Sequence, residues 1–252
     1  MPRSQFACSL ALAMCVASAP AFADTLLTDS TFNLANYTQL GPFEFEGTIS
    51  AAQCATCGNP GNALKVNETF GDTTTTTGEA AIGFVNNTVT YNPSVSGPIV
   101  SINASVDKDA TVTGIGGTLG NSFRPLIEQD GNYYLATIVG ASFDPTTSPF
   151  TTGYISFSEL GLVATDFLQF DFTTGLFGTA SPNFAGDPME FGLAQITTLA
   201  GVTAGATLEQ DYDNLSLTTS TPEPSSVLLL STLVLLIGFA LRRARFQFSR
   251  QS

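Results

Sequence analysis

The 252-residue sequence has no histidine and no tryptophan, and only eight of its residues are lysine or arginine. Without histidine there can be no Ser-His-Asp triad, no imidazole ligand for zinc and no imidazole acid–base pair. Without tryptophan the broadest aromatic platform for a sugar ring is missing, which leaves 20 phenylalanines and six tyrosines for stacking or for the core. Cations are scarcest in the middle of the chain. Between Asp24 and Thr221 they are Lys65, Lys108 and Arg124, whereas all but one of the 21 acidic residues fall in that stretch, the exception being Glu223. Such a surface repels nucleic acid and anionic lipid, so no nucleic-acid partner is expected. A sustained 3.6-residue apolar period is also missing there, which argues against a helical body.

The two ends differ from this middle. Arg3 precedes an apolar run of about eleven residues, Phe6 to Val16, which has the size of a signal-peptide core and is too short to cross a bilayer. Ala21 and Ala23 place small residues at both recognition positions of signal peptidase, so cleavage is expected before Asp24, with residues 1–23 as the signal peptide. Cys8 and Cys15 would leave with it. Cys54 and Cys57 would then remain in an oxidising compartment, three residues apart and followed by the turn Gly58-Asn59-Pro60-Gly61. No helix start is in view to lower a thiol pKa and no further zinc ligands exist, so a small structural disulfide is the expectation.

Residues 24–218 read as strands and turns and are assigned to one all-β domain, a two-sheet sandwich. Strands are expected over 43–46, 80–91, 99–106, 133–139, 154–157, 167–172, 191–196 and 215–217, with turns at Asn92-Pro93, Gly97-Pro98, Asp130-Gly131, Asp144-Pro145 and Ser181-Pro182. Phe157 to Leu162 is expected to form one short helical turn, and the Thr73–Thr77 run a flexible loop or exposed strand. Phe43-Glu44-Phe45-Glu46 alternates, which would put both carboxylates on one face about 6.5–7 Å apart. That spacing suits the paired carboxylates of an inverting glycoside hydrolase, and equally any half-exposed strand. Asp211-Tyr212-Asp213 and Asp107-Lys108-Asp109 each place carboxylates two apart. Calcium is the one ion these could hold, with Asp213 and Asp211 as candidate ligands, although the spacing matches no complete calcium loop. Otherwise no cofactor is implied.

Residues 219–224 form a linker ending in Pro222-Glu223-Pro224, which fits neither a helix nor a sheet interior. Residues 225–241 carry no charge and at 1.5 Å per residue just reach across a thin bilayer as a transmembrane helix. Residues 242–252 are a basic tail opened by Arg242 and Arg243, with Arg245 close behind, which would keep the tail cytoplasmic and the body outside.

Pro-Glu-Pro, an immediate apolar helix and a terminal arginine cluster together resemble the PEP-CTERM sorting signal, whose tail is also labelled an ice-binding-protein C-terminal domain without being evidence for ice binding. Pro222, Glu223, Pro224, Arg242 and Arg243 match its parts. The resemblance implies recognition by exosortase, a membrane-embedded cysteine transpeptidase. It also implies delivery to the surface of an exopolysaccharide-making Gram-negative cell. The body resembles that group less closely, through Phe191-Gly192-Leu193 and the closing Tyr212-Asp213-Asn214-Leu215-Ser216-Leu217. Similar closing strands occur in jelly-roll β-sandwiches related to carbohydrate-binding modules, which implies that the first and last strands pair. The expected role is therefore a non-enzymatic, exported surface or matrix protein in an exopolysaccharide-rich envelope. A carbohydrate-binding jelly-roll module is the alternative, and a secreted glycoside hydrolase a more distant one.

Overall fold

Alternation organises the molecule. Along residues 101–113 every second side chain from Ile102 to Val112 is buried, while the intervening ones stay partly exposed. That is the period of a strand with one face inward. The computed structural model describes residues 23–114, 116–137, 140–143, 150–151 and 153–220. Within them the chain forms β1 (Ala23–Asp29), β2 (Tyr37–Phe45), β3 (Gly47–Gly58), β4 (Gly61–Phe70) and β5 (Thr77–Tyr91). There follow β6 (Ser101–Thr113), β7 (Thr118–Gln129), β8 (Asn132–Ala136), β9 (Gly140–Phe143) and β10 (Phe150–Thr151). The last five are β11 (Ile155–Leu162), β12 (Phe167–Asp171), β13 (Leu176–Phe177), β14 (Met189–Ala200) and β15 (Thr207–Ser220).

These strands make the two sheets of an all-β sandwich, paired antiparallel throughout. One sheet runs β10-β6-β15-β4-β3, with β1 also on β15 and β11 also on β6. The other runs β13-β12-β8-β7-β14-β5-β2, with β9 also on β7. The first and last strands pair as expected, Asp24 opposite Thr219 and Asp29 opposite Leu215. The Asp130-Gly131 turn joins β7 to β8 with both residues at positive φ, 53° and 74°, the geometry that matches strand twist in a two-residue hairpin. Asn92-Pro93 is more than a turn: Asn92 Oδ1 accepts from Ser94 N at 3.0 Å and caps a single helical turn, Pro93–Ser96.

One local expectation is corrected and another is met in part. Phe157 to Leu162 is not helical but belongs to β11, whose pairing with β6 shifts register between Glu159 and Leu162. The irregular spacing that mimicked a helix is that bulge. The threonine run is loop and exposed strand over Thr74 to Thr77, as expected, but starts on a buried anchor. Thr73 is 1% exposed, its N–H donates to Val202 O at 2.8 Å, and its hydroxyl accepts from Val202 N at 3.0 Å.

The space between the sheets holds two apolar clusters. One includes Val66, Val106, Phe123, Leu193 and Tyr212; the other includes Phe70, Ala110, Leu119, Leu199 and Leu208. Burying side chains of this size stabilises the fold by about 1.5–3 kcal/mol each. Between the clusters lies a polar layer, one inward position per strand or two: Glu68 on β4, Lys108 on β6, Asn121 on β7, Gln195 and Thr197 on β14, and Gln210 on β15. Each is at most 1% exposed.

Expected segments 1–22 and 221–252, the signal and sorting helices among them, lie outside the described residues, as do Ala21, Pro222, Glu223, Pro224, Arg242 and Arg243. The Asp144-Pro145 turn also lies outside them. Among the described residues no helix is long and apolar enough to cross a membrane.

Candidate functional site

The outer face of the larger sheet is unusually apolar. On β5, Ala80, Ile82 and Phe84 point into the main core, whereas Ala81 and Val85 belong to a second cluster with Leu40, Leu126, Leu135, Ala194 and Ile196. A sheet face of this kind needs a cover, and the end of β12, with the segment after it, supplies one. Phe170 and Phe172 lie over the face with ring centroids 4.9 Å apart and edge to face, and Phe177 on β13 meets Phe170 at the same separation. Small floor residues make room. A Cβ on Gly83 would lie 2.5 Å from Phe172 Cζ, so only glycine lets the ring descend. Asp171 fixes the turn that follows: its carboxylate accepts from Thr173 N at 2.7 Å and Thr174 Oγ1 at 3.0 Å.

This strap leaves an open cavity of about 660 Å³ beside it, between Gln39–Pro42 of β2 and residues 131–133 and 169–173. Its walls combine three kinds of group. Tyr133 is half-buried and presents its ring edge-on to Phe172, centroids 6.1 Å apart. Gln169 Nε2 donates to Asn132 Oδ1 at 3.0 Å, which orients both amides at the rim. Exposed Gln39, Asp171 and Thr173 add further hydrogen-bonding groups. A shallower depression of about 410 Å³ lies on the larger sheet around Thr77, Glu79, Thr118 and Thr198. Burial raises the Glu79 carboxyl above its ordinary value. Nearby, Arg124 Nη1 donates to Ala136 O at 2.6 Å, and its guanidinium lies 5.4 Å from the Phe177 ring.

The residues singled out in the sequence do not gather here. Cys54 and Cys57 are joined in a disulfide near the β3–β4 turn, Cα atoms 5.5 Å apart, and the Tyr154 hydroxyl donates to Cys57 O. Glu44 and Glu46 do not form a strand-spaced pair. β2 ends at Phe45, Glu46 takes φ 55° in the turn to β3, and Glu44 Oε1 accepts from Ile49 N at 2.7 Å. The paired-carboxylate geometry of a glycoside hydrolase is therefore missing at that position.

Asp211 and Asp213, the candidate calcium ligands, both have partners within the protein. Asp213 is fully buried and its two oxygens accept from Asn59 N at 2.5 Å and Asn214 N at 2.7 Å. Asp211 lies 3.9 Å from Lys65 Nζ, and burial lifts its carboxyl to about 6. Among the described residues no three His, Cys, Asp or Glu side chains come together to hold a metal ion. Asp24 sits in β1 opposite Thr219, and Ala23 opposite Ser220.

The cavity residues were missed because each is unremarkable locally; Gln169 and Tyr133 become neighbours only through the β12–β8 pairing. The buried polar layer did carry a signal. In the inward phase Ile102, Ala104, Val106, Ala110 and Val112, Lys108 is the single charged residue.

No family model and no curated protein matches the chain. Solved structures of low identity do. The C-terminal family 22 carbohydrate binding module of Clostridium thermocellum Xyn10B is 12% identical with TM-score 0.32, covering 78% of this chain and 94% of that one. The CBM22-1 xylan-binding domain of Paenibacillus barcinonensis Xyn10C is 12% identical with TM-score 0.33, covering 81% and 100%. TmCBM27, a carbohydrate-binding module described for mannan recognition, is 14% identical with TM-score 0.29, covering 80% and 97%. At these values the likeness bears on neither ligand nor activity.

Proposed function

We propose that this jelly-roll-like domain is a non-enzymatic carbohydrate-binding module that takes a neutral polysaccharide in the cavity beside the Phe172 strap. The observation that carries the reading is the pairing of the Tyr133 ring with the oriented Gln169 and Asn132 amides around about 660 Å³ of open space. A sugar ring has an apolar face that suits an aromatic side chain and a hydroxyl edge that suits amides and carboxylates. An excess of 13 negative charges disfavours an acidic glycan and leaves a neutral one.

The whole chain is, in this reading, an exported protein that signal peptidase trims and an exosortase-type transpeptidase sorts to the surface, where the module engages exopolysaccharide. The support is sequence alone: the Ala21 and Ala23 cleavage pattern and the Pro222-Glu223-Pro224, helix and Arg242-Arg243 order. Intact mass of protein recovered from the native surface tests it. Loss at both ends is expected; an unshortened C-terminus would reduce the tail to a simple anchor.

Affinity electrophoresis through gels containing neutral polysaccharides, with xylan and mannan first, tests the binding reading. Retardation is expected with at least one polymer, and Tyr133→Ala should weaken it roughly tenfold, the scale of one lost anchor contact. Equal migration in every gel, or retardation that Tyr133→Ala and Gln169→Ala leave intact, would remove this site.

A further inference from the structure

The polar layer brings a lysine, an asparagine and a carboxyl together out of water. Lys108 Nζ abuts Asn121 Oδ1, one bond from the amide carbon. Asn121 Nδ2 donates to Thr197 Oγ1 at 2.7 Å, and that hydroxyl donates in turn to Glu68 Oε1 at 2.7 Å. Gln195 Nε2 also donates to Glu68 Oε1, while Glu68 Oε2 is buried without a hydrogen-bond partner. The Tyr212 ring, 5.6 Å from Lys108 Nζ, closes one side. The two strands concerned, β6 and β7, belong to opposite sheets.

We propose that Lys108 and Asn121 are joined by an intramolecular isopeptide bond that staples the two sheets, with Glu68 carrying the proton. The Lys108 Nζ lone pair attacks Asn121 Cγ and a C–N bond forms. The Cγ–Nδ2 bond then breaks, Nδ2 leaves as ammonia, and one proton passes from Nζ to Nδ2. No oxidant, reductant or cofactor enters, and no atom changes oxidation state.

The surroundings favour both partners in the forms that react. Burial drives the Lys108 ammonium well below its ordinary value, against the pull of Glu68, and so favours the neutral, nucleophilic amine. Burial likewise lifts Glu68 to about 8, so at neutral pH it holds a proton; for delivery the Thr197 hydroxyl reverses its bonds, accepting from the carboxyl and donating to the departing Nδ2. Exclusion of water keeps it from competing with the amine for Asn121 Cγ. A simple amine–amide hydrogen bond explains the contact of Nζ with Oδ1. It leaves unexplained why a carboxyl with one unpartnered oxygen is buried one hydroxyl away from the same amide.

The test is mass spectrometry of the full-length protein digested on the C-terminal side of glutamate. The fragment spanning residues 80–128 contains both partners. It is expected to be lighter than its sequence mass by one ammonia, and trypsin should fail to cut after Lys108. Asn121→Ala and Lys108→Met should each give a fragment of the full mass expected for its own sequence. Glu68→Gln keeps the layer's shape, so a folded Glu68→Gln protein that retains its ammonia, or loses it at least tenfold more slowly, would assign the proton transfer to the carboxyl. Wild-type fragment of full mass, or shifted only by deamidation, overturns the bond. The wild-type measurement needs no variant to fold.

Discussion

Thr197 Oγ1 stands at 2.7 Å from Glu68 Oε1 and at 2.7 Å from Asn121 Nδ2, so one hydroxyl links β4 in the smaller sheet to β7 and β14 in the larger. A hydroxyl is the smallest side-chain group that both donates and accepts, and here it does both. Thr197→Val keeps the shape and removes both bonds. Leaving the buried Glu68 oxygen short of a partner should destabilise the fold by about 1–3 kcal/mol. Urea unfolding should show a lower midpoint with an unchanged slope.

The strap over the outer face depends on the missing side chain of Gly83. Gly83→Ala would place a methyl 2.5 Å from Phe172 Cζ, so the ring must shift. Displacing the ring should destabilise the protein by about 1–3 kcal/mol. Because Phe172 also lines the cavity, polysaccharide retardation in affinity gels should fall in the same variant. Retained stability with unchanged binding would show that the strap is loosely seated.

Asp213 serves as an acceptor for two peptide N–H groups. It fixes Asn59 in the β3–β4 turn from β15. Asp213→Ala leaves that amide and the neighbouring Asn214 N–H without their acceptor, a loss of about 1–3 kcal/mol. Treatment with a calcium chelator should leave the melting temperature where it was. A chelator-induced fall in melting temperature would restore a metal to this end of β15.

Asp211 predicts a pH dependence. Burial raises its carboxyl from 3.8 to about 6, although Lys65 pulls the other way. A carboxyl with a raised folded value holds its proton more firmly folded than unfolded. That contribution is complete below about pH 3.8 and disappears as pH rises through about 6. Asp211→Asn should therefore flatten the decline in melting temperature over this interval, relative to the parent protein. An identical pH profile in both would mean that the carboxyl is better solvated than its position indicates.

How far these features could be read in advance follows from where their causes lie. β5, β6, β12, β14 and β15 were legible because β-branched and aromatic residues alternate along them. β3 was not, since Gly47–Gly58 is mostly small and polar residues whose burial follows neither period cleanly. β7 was hidden by Pro125, which argues against a central strand yet sits opposite Leu193 between β14 and β8. Glu44 and Glu46 misled because alternation was extended one residue past the strand, into a turn where Glu46 adopts a left-handed backbone.

Side-chain alternation is a property of consecutive residues, so composition and spacing alone determined that this chain is all-β, acidic and without imidazole chemistry. Along β6 they also determined which phase faces inward. Pairing and stacking are contacts between residues far apart in the chain, and no local pattern records them. Only the tertiary structure therefore decided that the outer sheet face is roofed by Phe172, that Tyr133 and Gln169 share a cavity, and that Lys108 meets Asn121 between the sheets.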